Sequence, residues 1–263
     1  MKRGIYVLPS IVTLGNLASG VVSILFAGDG HFTRAAWAIL AGIVMDMLDG
    51  RVARWAGASS QFGVELDSLS DLVTFGVAPA VLVYELALEP LGRPGYVIAI
   101  FFAMAGALRL ARFNVKAQVG EISTHFVGLP VPAAAGILAS FVLSYELFDN
   151  GDMTRKAIPI LMQRMPMFFK AIPIVMLVLS FLMISTVSYS HFKNFKLGRS
   201  KTIQSFGFII AGLLLMFAYP QNTIFILFSF YVLSGLVAYI WRFALARRQR
   251  RILLQQNARK GDL

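Results

Sequence analysis

Hydrophobic residues in this chain come in long blocks, with polar residues gathered between the blocks and at their ends. Eight apolar stretches stand out, at about 8–27, 35–54, 67–88, 95–114, 127–148, 168–190, 203–219 and 222–241. A helix crosses the hydrocarbon core in roughly 20 residues. Each block therefore predicts a membrane-spanning helix, and the whole predicts an all-α polytopic membrane protein. Two blocks depart from the rule. The second carries its polar residues at its C-terminal end and the third at its N-terminal end, with the short loop from Trp55 to Phe62 between them. Their polar ends therefore meet on one side of the membrane.

Composition agrees with the pattern. The 263 residues are 57% hydrophobic and 14% charged, against about 25% charged in soluble domains. With the N-terminus placed inside, eighteen of the 24 Lys and Arg residues fall on the inner side and six on the outer. That asymmetry predicts both termini, and the polar ends of the second and third helices, at the cytoplasmic face of the inner membrane. The net charge of +11 reads as anchoring to anionic lipid. The run Arg247-Arg-Gln-Arg-Arg251 follows the last apolar block directly, so it reads as part of that anchor and not as a nucleic-acid site. The start, Met1-Lys-Arg-Gly, enters an apolar helix without a cleavage pattern, so no removable signal peptide is expected. The chain has no cysteine, which excludes disulfides, thiolate catalysis and cysteine-ligated zinc. The stretch from Asp149 to Lys170, with Pro159 and Pro166, is expected to hold an interfacial helix or a long outer loop.

Candidate chemistry gathers at the polar ends, in Asp46, Asp49, Asp67 and Asp71. An unpaired carboxylate at the centre of a membrane helix costs about 2.5–3.5 kcal/mol on insertion scales. Asp46 and Asp49 are spaced to share a face with Gly50, Ala53 and Arg54, and Gly63, Asp67 and Asp71 recur every fourth residue on the next helix. Two antiparallel helices with facing acidic stripes make a four-carboxylate cup. Hard oxygen ligands in that number suit Mg²⁺, Mn²⁺ or Ca²⁺, and could hold two ions. The small residues Gly50, Ala53 and Gly63 leave room for a ligand or allow close helix approach, and Arg54 suits a phosphate. Isolated intramembrane carboxylates also serve as helix-to-helix hydrogen bonds or line ion paths. A divalent-cation transporter is therefore the alternative from a different class. It expects acidic residues deeper along a path, whereas beyond Phe126 they are few, with Glu146, Asp149 and Asp152 at the opposite face.

The run Asp-x2-Asp-Gly-x2-Ala-Arg-x8-Gly-x3-Asp-x3-Asp, filled by Asp46, Asp49, Gly50, Ala53, Arg54, Gly63, Asp67 and Asp71, resembles the signature of the CDP-alcohol phosphotransferase family. The resemblance implies a six-helix bundle as catalytic core, here residues 1–190, with two further transmembrane helices and a basic tail in 191–263, one integral membrane domain overall. It implies transfer of a substituted phosphate from a CDP-alcohol to an acceptor hydroxyl, with release of CMP. It also implies that the four aspartates arrange two divalent ions, with Asp71 as general base, and that Asp49, Gly50, Ala53, Arg54 and Gly63 surround the donor.

A second set of residues bears on the acceptor. Ala107-Leu-Arg-Leu-Ala-Arg-Phe-Asn114, Gly128-Leu-Pro-Val-Pro132 and the opening Pro9-Ser-Ile-Val-Thr-Leu-Gly-Asn16 resemble the membrane-integral phosphatidylserine synthases within that family. This implies CDP-diacylglycerol as donor and L-serine as acceptor, with Thr13 and Asn16 helping to hold the nucleotide. A serine carboxylate calls for an Arg fork. Arg109 and Arg112 are candidates, with Asn114 as a further hydrogen-bonding group and Glu65 as an ammonium partner. Glycerol phosphate, inositol or inositol phosphate would want Arg as well, so charge alone leaves the acceptor open. The expected partners are CDP-diacylglycerol, L-serine, CMP, the bilayer and a second copy of the chain in a homodimer. His31, His125 and His191 lack ligand spacing, and Met162, Met165 and Met167 read as core or lipid contacts. Gly15 and Gly20 read as packing positions. With no cysteine and no positioned histidine, direct attack by the acceptor and inversion at phosphorus are expected. An aspartate is a weak base near neutrality, so proton removal has to accompany attack.

Overall fold

The computed structural model describes residues 7–56, 60–118, 126–149, 165–185, 188–189, 212, 214–235 and 237. Six long helices follow one another: α1 (Val7–Gly28), α2 (Phe32–Ala56), α3 (Gln61–Leu91), α4 (Arg93–Gln118), α5 (Val131–Asp149) and α6 (Met165–Ile184). Residues 220–235 form a further helix, α7. Two-residue strands β1 (Phe126–Val127) and β2 (Ser188–Tyr189) pair antiparallel, the one addition to an otherwise helical fold among the described residues. The expected segments one to six correspond to α1 to α6. Most of the seventh, most of 149–170 and the basic tail lie outside the described residues.

Among the described residues, four stretches are long and apolar enough to cross a membrane: Pro9–Gly28, Gln61–Leu91, Arg93–Lys116 and Pro166–Ile184. The apolar part of α5, Val131–Glu146, is shorter. At 1.5 Å per residue, α2 is about 37 Å long, but its C-terminal half carries the acidic cluster. Some helices overrun their apolar blocks, most of all where α3 begins at Gln61 and not at 67, whereas α5 begins at Val131 and α6 ends at Ile184, inside theirs. Hydropathy marks where lipid begins; backbone hydrogen bonding continues until a cap ends it. Here the cap is Ser60, in extended conformation (φ −124°, ψ 150°), whose hydroxyl accepts from the Gly63 N–H. At the other end of the bundle α1 closes on Gly30 (φ +75°). Gly30 N–H donates to Ala27 O at 3.0 Å and His31 N–H to Phe26 O at 2.8 Å, the two bonds of a Schellman turn.

The packing is of small residues against large ones. Ala35, Ala36, Ala133, Ala134, Ala135 and Ala139 are buried around Ile39, Phe75, Phe102, Leu138 and Met176. In lipid, association rests on such close approach and not on exclusion of water. Outward-facing Leu25, Ile100, Ile174 and Phe181 are exposed, as expected of side chains that meet acyl chains.

The third helix is irregular. It is α-helical to Asp71, widens to a π-helix over Leu72–Val77, is α-helical over Ala78–Val83, and widens again over Tyr84–Leu88. Each wide segment lies just before or against a proline, Pro79 and Pro90. A proline ring clashes with the carbonyl four residues back and supplies no N–H. Those carbonyls belong to Phe75 and Leu86, inside the two wide segments, where the longer i→i+5 bonding relieves the clash. The apolar block at 67–88 shows none of this.

Candidate active site

The acidic residues come together where the C-terminal half of α2 faces the first turns of α3. Asp46, Asp49 and Asp67 each offer a carboxylate oxygen within 4.8 Å of the others, the one such acidic group among the described residues. Asp49 is buried, and Asp49 Oδ2 and Asp67 Oδ1 are both enclosed without a protein hydrogen-bond partner. Three mutually repelling carboxylates with unmet buried acceptors fit a divalent cation, whose charge and oxygen preference satisfy both conditions.

Asp71 stands apart from this trio, one turn deeper and only 8% exposed. Its Oδ1 accepts a hydrogen bond from Asn16 Nδ2 at 3.0 Å. Asn16 is fully buried on α1, and its backbone carbonyl accepts from Thr74 Oγ1 at 2.9 Å and from Ser19 Oγ at 2.7 Å. Thr13, one turn earlier on α1, faces the Asp49 carboxylate, while its hydroxyl donates to Pro9 O at 3.0 Å. The first helix thus forms the floor of the cup, beneath both acidic stripes.

The approach of α1, α2 and α3 depends on glycine. A Cβ at Gly20 would collide with Thr74 Oγ1 and lie 2.7 Å from Thr74 Cα; one at Gly42 would lie 2.5 Å from Thr74 Cγ2 and 2.7 Å from Ser19 Oγ. Gly20 fits its reading as a packing position. Gly42 and Thr74 escape a reading of the motif alone. Helical spacing could have found them, because Gly42 lies four before Asp46 and Thr74 three after Asp71.

The other expected site residues divide. Gly63 lies in the first turn of α3, and its N–H donates to the Ser60 hydroxyl at 3.0 Å. Gly50 follows Asp49 on α2 and is half-buried. Ala53 and Arg54 belong to α2, but their side chains lie outside the described residues. Glu65 is exposed and two positions from Asp67, hence on a different side of α3. His31 is exposed, its ring edge-on to Phe26 with centroids 6.4 Å apart. His125 and His191 lie outside the described residues.

Arg109 is buried on α4, in electrostatic range of Asp71, with its guanidinium 5.8 Å from the Phe113 ring centroid and its Nε without a hydrogen-bond partner. Arg112 is differently employed. Its Nη1 donates to Ile184 O at 2.7 Å, and its Nη2 to Met183 O at 3.1 Å and Ser185 O at 3.2 Å. It therefore caps the C-terminus of α6, where carbonyls lack helical partners and the dipole favours a cation. Gly128, at φ +88°, passes directly against this cap: a Cβ there would lie 2.6 Å from Met183 O and 2.7 Å from Arg112 Nη2. The next residue, Leu129, donates its N–H to Leu182 O at 3.0 Å. The Gly128-Leu-Pro run is thus explained by its contact with α6. Asn114 Nδ2 donates to Ser68 Oγ at 2.8 Å, which ties α4 to α3 beside Asp67.

The model of the CDP-alcohol phosphatidyltransferase family matches residues 6–163. Among curated relatives, a CDP-diacylglycerol–serine O-phosphatidyltransferase of Helicobacter pylori is 32% identical over 240 residues, covering 90% of this chain and 92% of the relative. The Bacillus subtilis protein of the same name is 34% identical over 187 residues, 71% of this chain and 92% of the relative. An archaetidylserine synthase of Methanothermobacter thermautotrophicus is 40% identical over 139 residues, 52% of this chain and 58% of the relative. With the matched region spanning α1 to α5 and the acidic cup at its centre, the chain belongs to the CDP-alcohol phosphatidyltransferase family.

Proposed function

We propose that this multi-pass membrane protein transfers the phosphatidyl group of CDP-diacylglycerol to the hydroxyl of L-serine, forming phosphatidylserine and CMP. The observation that carries the reading is the arrangement of Asp46, Asp49 and Asp67 within 4.8 Å, with Asp71 beside them on its own hydrogen bond. The names of the serine-using relatives support serine as acceptor.

Asp46, Asp49 and Asp67, with Asp71 at the edge, would hold the divalent ions, Mg²⁺ or Mn²⁺. Such ions supply positive charge to the phosphate oxygens and to the departing CMP. Thr13, Asp49, Gly50, Ala53, Arg54 and Gly63 are assigned to the nucleotide end of the donor. The serine oxygen attacks phosphorus, its bond to the CMP oxygen breaks, and the serine proton passes to Asp71. Arg109, buried and with a free Nε, is assigned to the serine carboxylate. A desolvated guanidinium there forms a strong paired contact with a planar anion. Arg112 and Asn114 are assigned to holding α4 in place, since their donors are engaged with α6 and Ser68. The charge asymmetry supports a cup open to the cytoplasm, where serine and CMP exchange.

Purified protein with labelled CDP-diacylglycerol, Mn²⁺ and competing serine, glycerol phosphate and inositol tests the proposal. Label is expected in phosphatidylserine with one CMP per turnover, and chelation is expected to stop it reversibly. Label passing to glycerol phosphate or inositol in preference to serine overturns the acceptor.

A further inference from the structure

The Asn16 side chain is enclosed between the two acidic helices, where its amide meets Asp71 and not the open cup. Its Nδ2 donates to Asp71 Oδ1 at 3.0 Å. An ionised carboxylate can only accept, so this contact fixes which end of the amide faces Asp71. Asn16 is fully buried, and both its neighbours along the bond path are also buried, Asp71 at 8% and Thr74 at 0% exposed. Its backbone is held in turn, by the Thr74 hydroxyl at 2.9 Å from its carbonyl oxygen. Thr74 lies in the widened turn of α3 that begins one residue after Asp71. Gly20 and Gly42 admit Thr74 to this position, since a Cβ at either would strike it.

From this arrangement we infer that Asn16 is a positioning residue for the proposed base: its amide occupies Oδ1 of Asp71 and leaves Oδ2 as the oxygen that takes the acceptor proton. A carboxylate on a short side chain rotates about its terminal bond with little hindrance. Two equivalent oxygens would then share several orientations, and only some of these face the acceptor. One hydrogen bond from a buried donor restricts that freedom. Thr74 acts one step further back by fixing the backbone that carries the amide. The effect is expected on the chemical step, because the Asn16 amide N–H is engaged with Asp71. The inference rests on the proposed role of Asp71 and departs from the expectation that Asn16 holds nucleotide.

The test compares Asn16→Ala, Asn16→Asp and Thr74→Val with the parent enzyme, measuring kcat, the KM for each substrate, and the dissociation constants of CMP and Mn²⁺. Asn16→Asp keeps the shape and replaces the amide with a second carboxyl against Asp71, whereas Asn16→Ala removes the donor outright. Both Asn16 variants are expected to lose about 30-fold in kcat, equal to about 2 kcal/mol at 1.36 kcal/mol per decade. KM for CDP-diacylglycerol and CMP affinity should stay within twofold in Asn16→Ala. Thr74→Val should lose a smaller factor with the same pattern. A raised KM for donor or weakened CMP binding with kcat preserved would make Asn16 a nucleotide contact and overturn the inference, as would full kcat in Asn16→Ala. Asp71→Asn in the same assay separates the two levels. If it is inactive while Asn16→Ala is normal, only the positioning role fails; if it turns over normally, the base assignment itself fails.

Discussion

Gly128→Ala probes how the loop before α5 is held against the end of α6. Gly128 has φ +88°, and an added Cβ would lie 2.6 Å from Met183 O, 2.7 Å from Arg112 Nη2 and 3.1 Å from Ser185 O. The two carbonyls belong to the backbone at the end of α6 and cannot swing aside, so Arg112 has to surrender part of its cap or α6 has to shift. The left-handed conformation costs an L-residue about 1–2 kcal/mol, and losing one hydrogen bond from a charged donor costs about 1.5–3 kcal/mol. Together these come to about 2.5–5 kcal/mol. At about 2–4 °C per kcal/mol for a chain of this size, the unfolding midpoint in detergent should fall by roughly 5–20 °C. Gly30→Ala is the control. It shares the positive φ, at +75°, but a Cβ there meets nothing within 4 Å. Only the backbone cost of about 1–2 kcal/mol should remain. The assay is thermal unfolding of the purified variants side by side, with serine KM measured below the transition. Equal shifts for the two variants would refute the claim that the Arg112 cap holds α4, α6 and the loop between them together.

Three further outcomes follow from the same geometry. Asp71→Asn should keep CMP binding within a few-fold and lower turnover by at least 100-fold, read from release of labelled CMP; near-normal turnover removes Asp71 from the chemistry. Arg109→Met keeps the packing against Phe113 and deletes the charge, so serine KM should rise by about 10–100-fold while donor KM holds, measured by initial rates at saturating CDP-diacylglycerol. Gly20→Ala should cost about 1–3 kcal/mol of stability through overpacking against the Thr74 backbone and lower kcat as well. A fully stable, fully active Gly20→Ala enzyme would show that α1 and α3 need not approach so closely.

Much of the site was legible in the chain because its chemistry is local. Asp46 and Asp49 share one helix and Asp67 and Asp71 the next, so the period of the helix and a short loop suffice to set two acidic stripes face to face. The apolar blocks likewise foretell helices, eight in all, of which the first six correspond to α1 to α6, because lipid tolerates little else. Three features needed the folded molecule. Asn16 meets Asp71 across 55 positions and Arg112 meets Ile184 across 72, and no period along the chain encodes a partner so distant. For that reason Asn16 read as a nucleotide contact and Arg112 as a serine ligand, although the first bonds to the candidate base and the second caps a helix. The π-helical turns of α3 also escape hydropathy, since widening a helix changes hydrogen bonding and leaves the apolar count unchanged. By itself the sequence determined the membrane helices, the acidic constellation and the family, all consequences of lipid solvation and helical period. Only tertiary structure decided which polar groups donate to one another and which, like the Arg109 Nε, are left buried without a protein partner, because that depends on contacts between residues far apart in the chain.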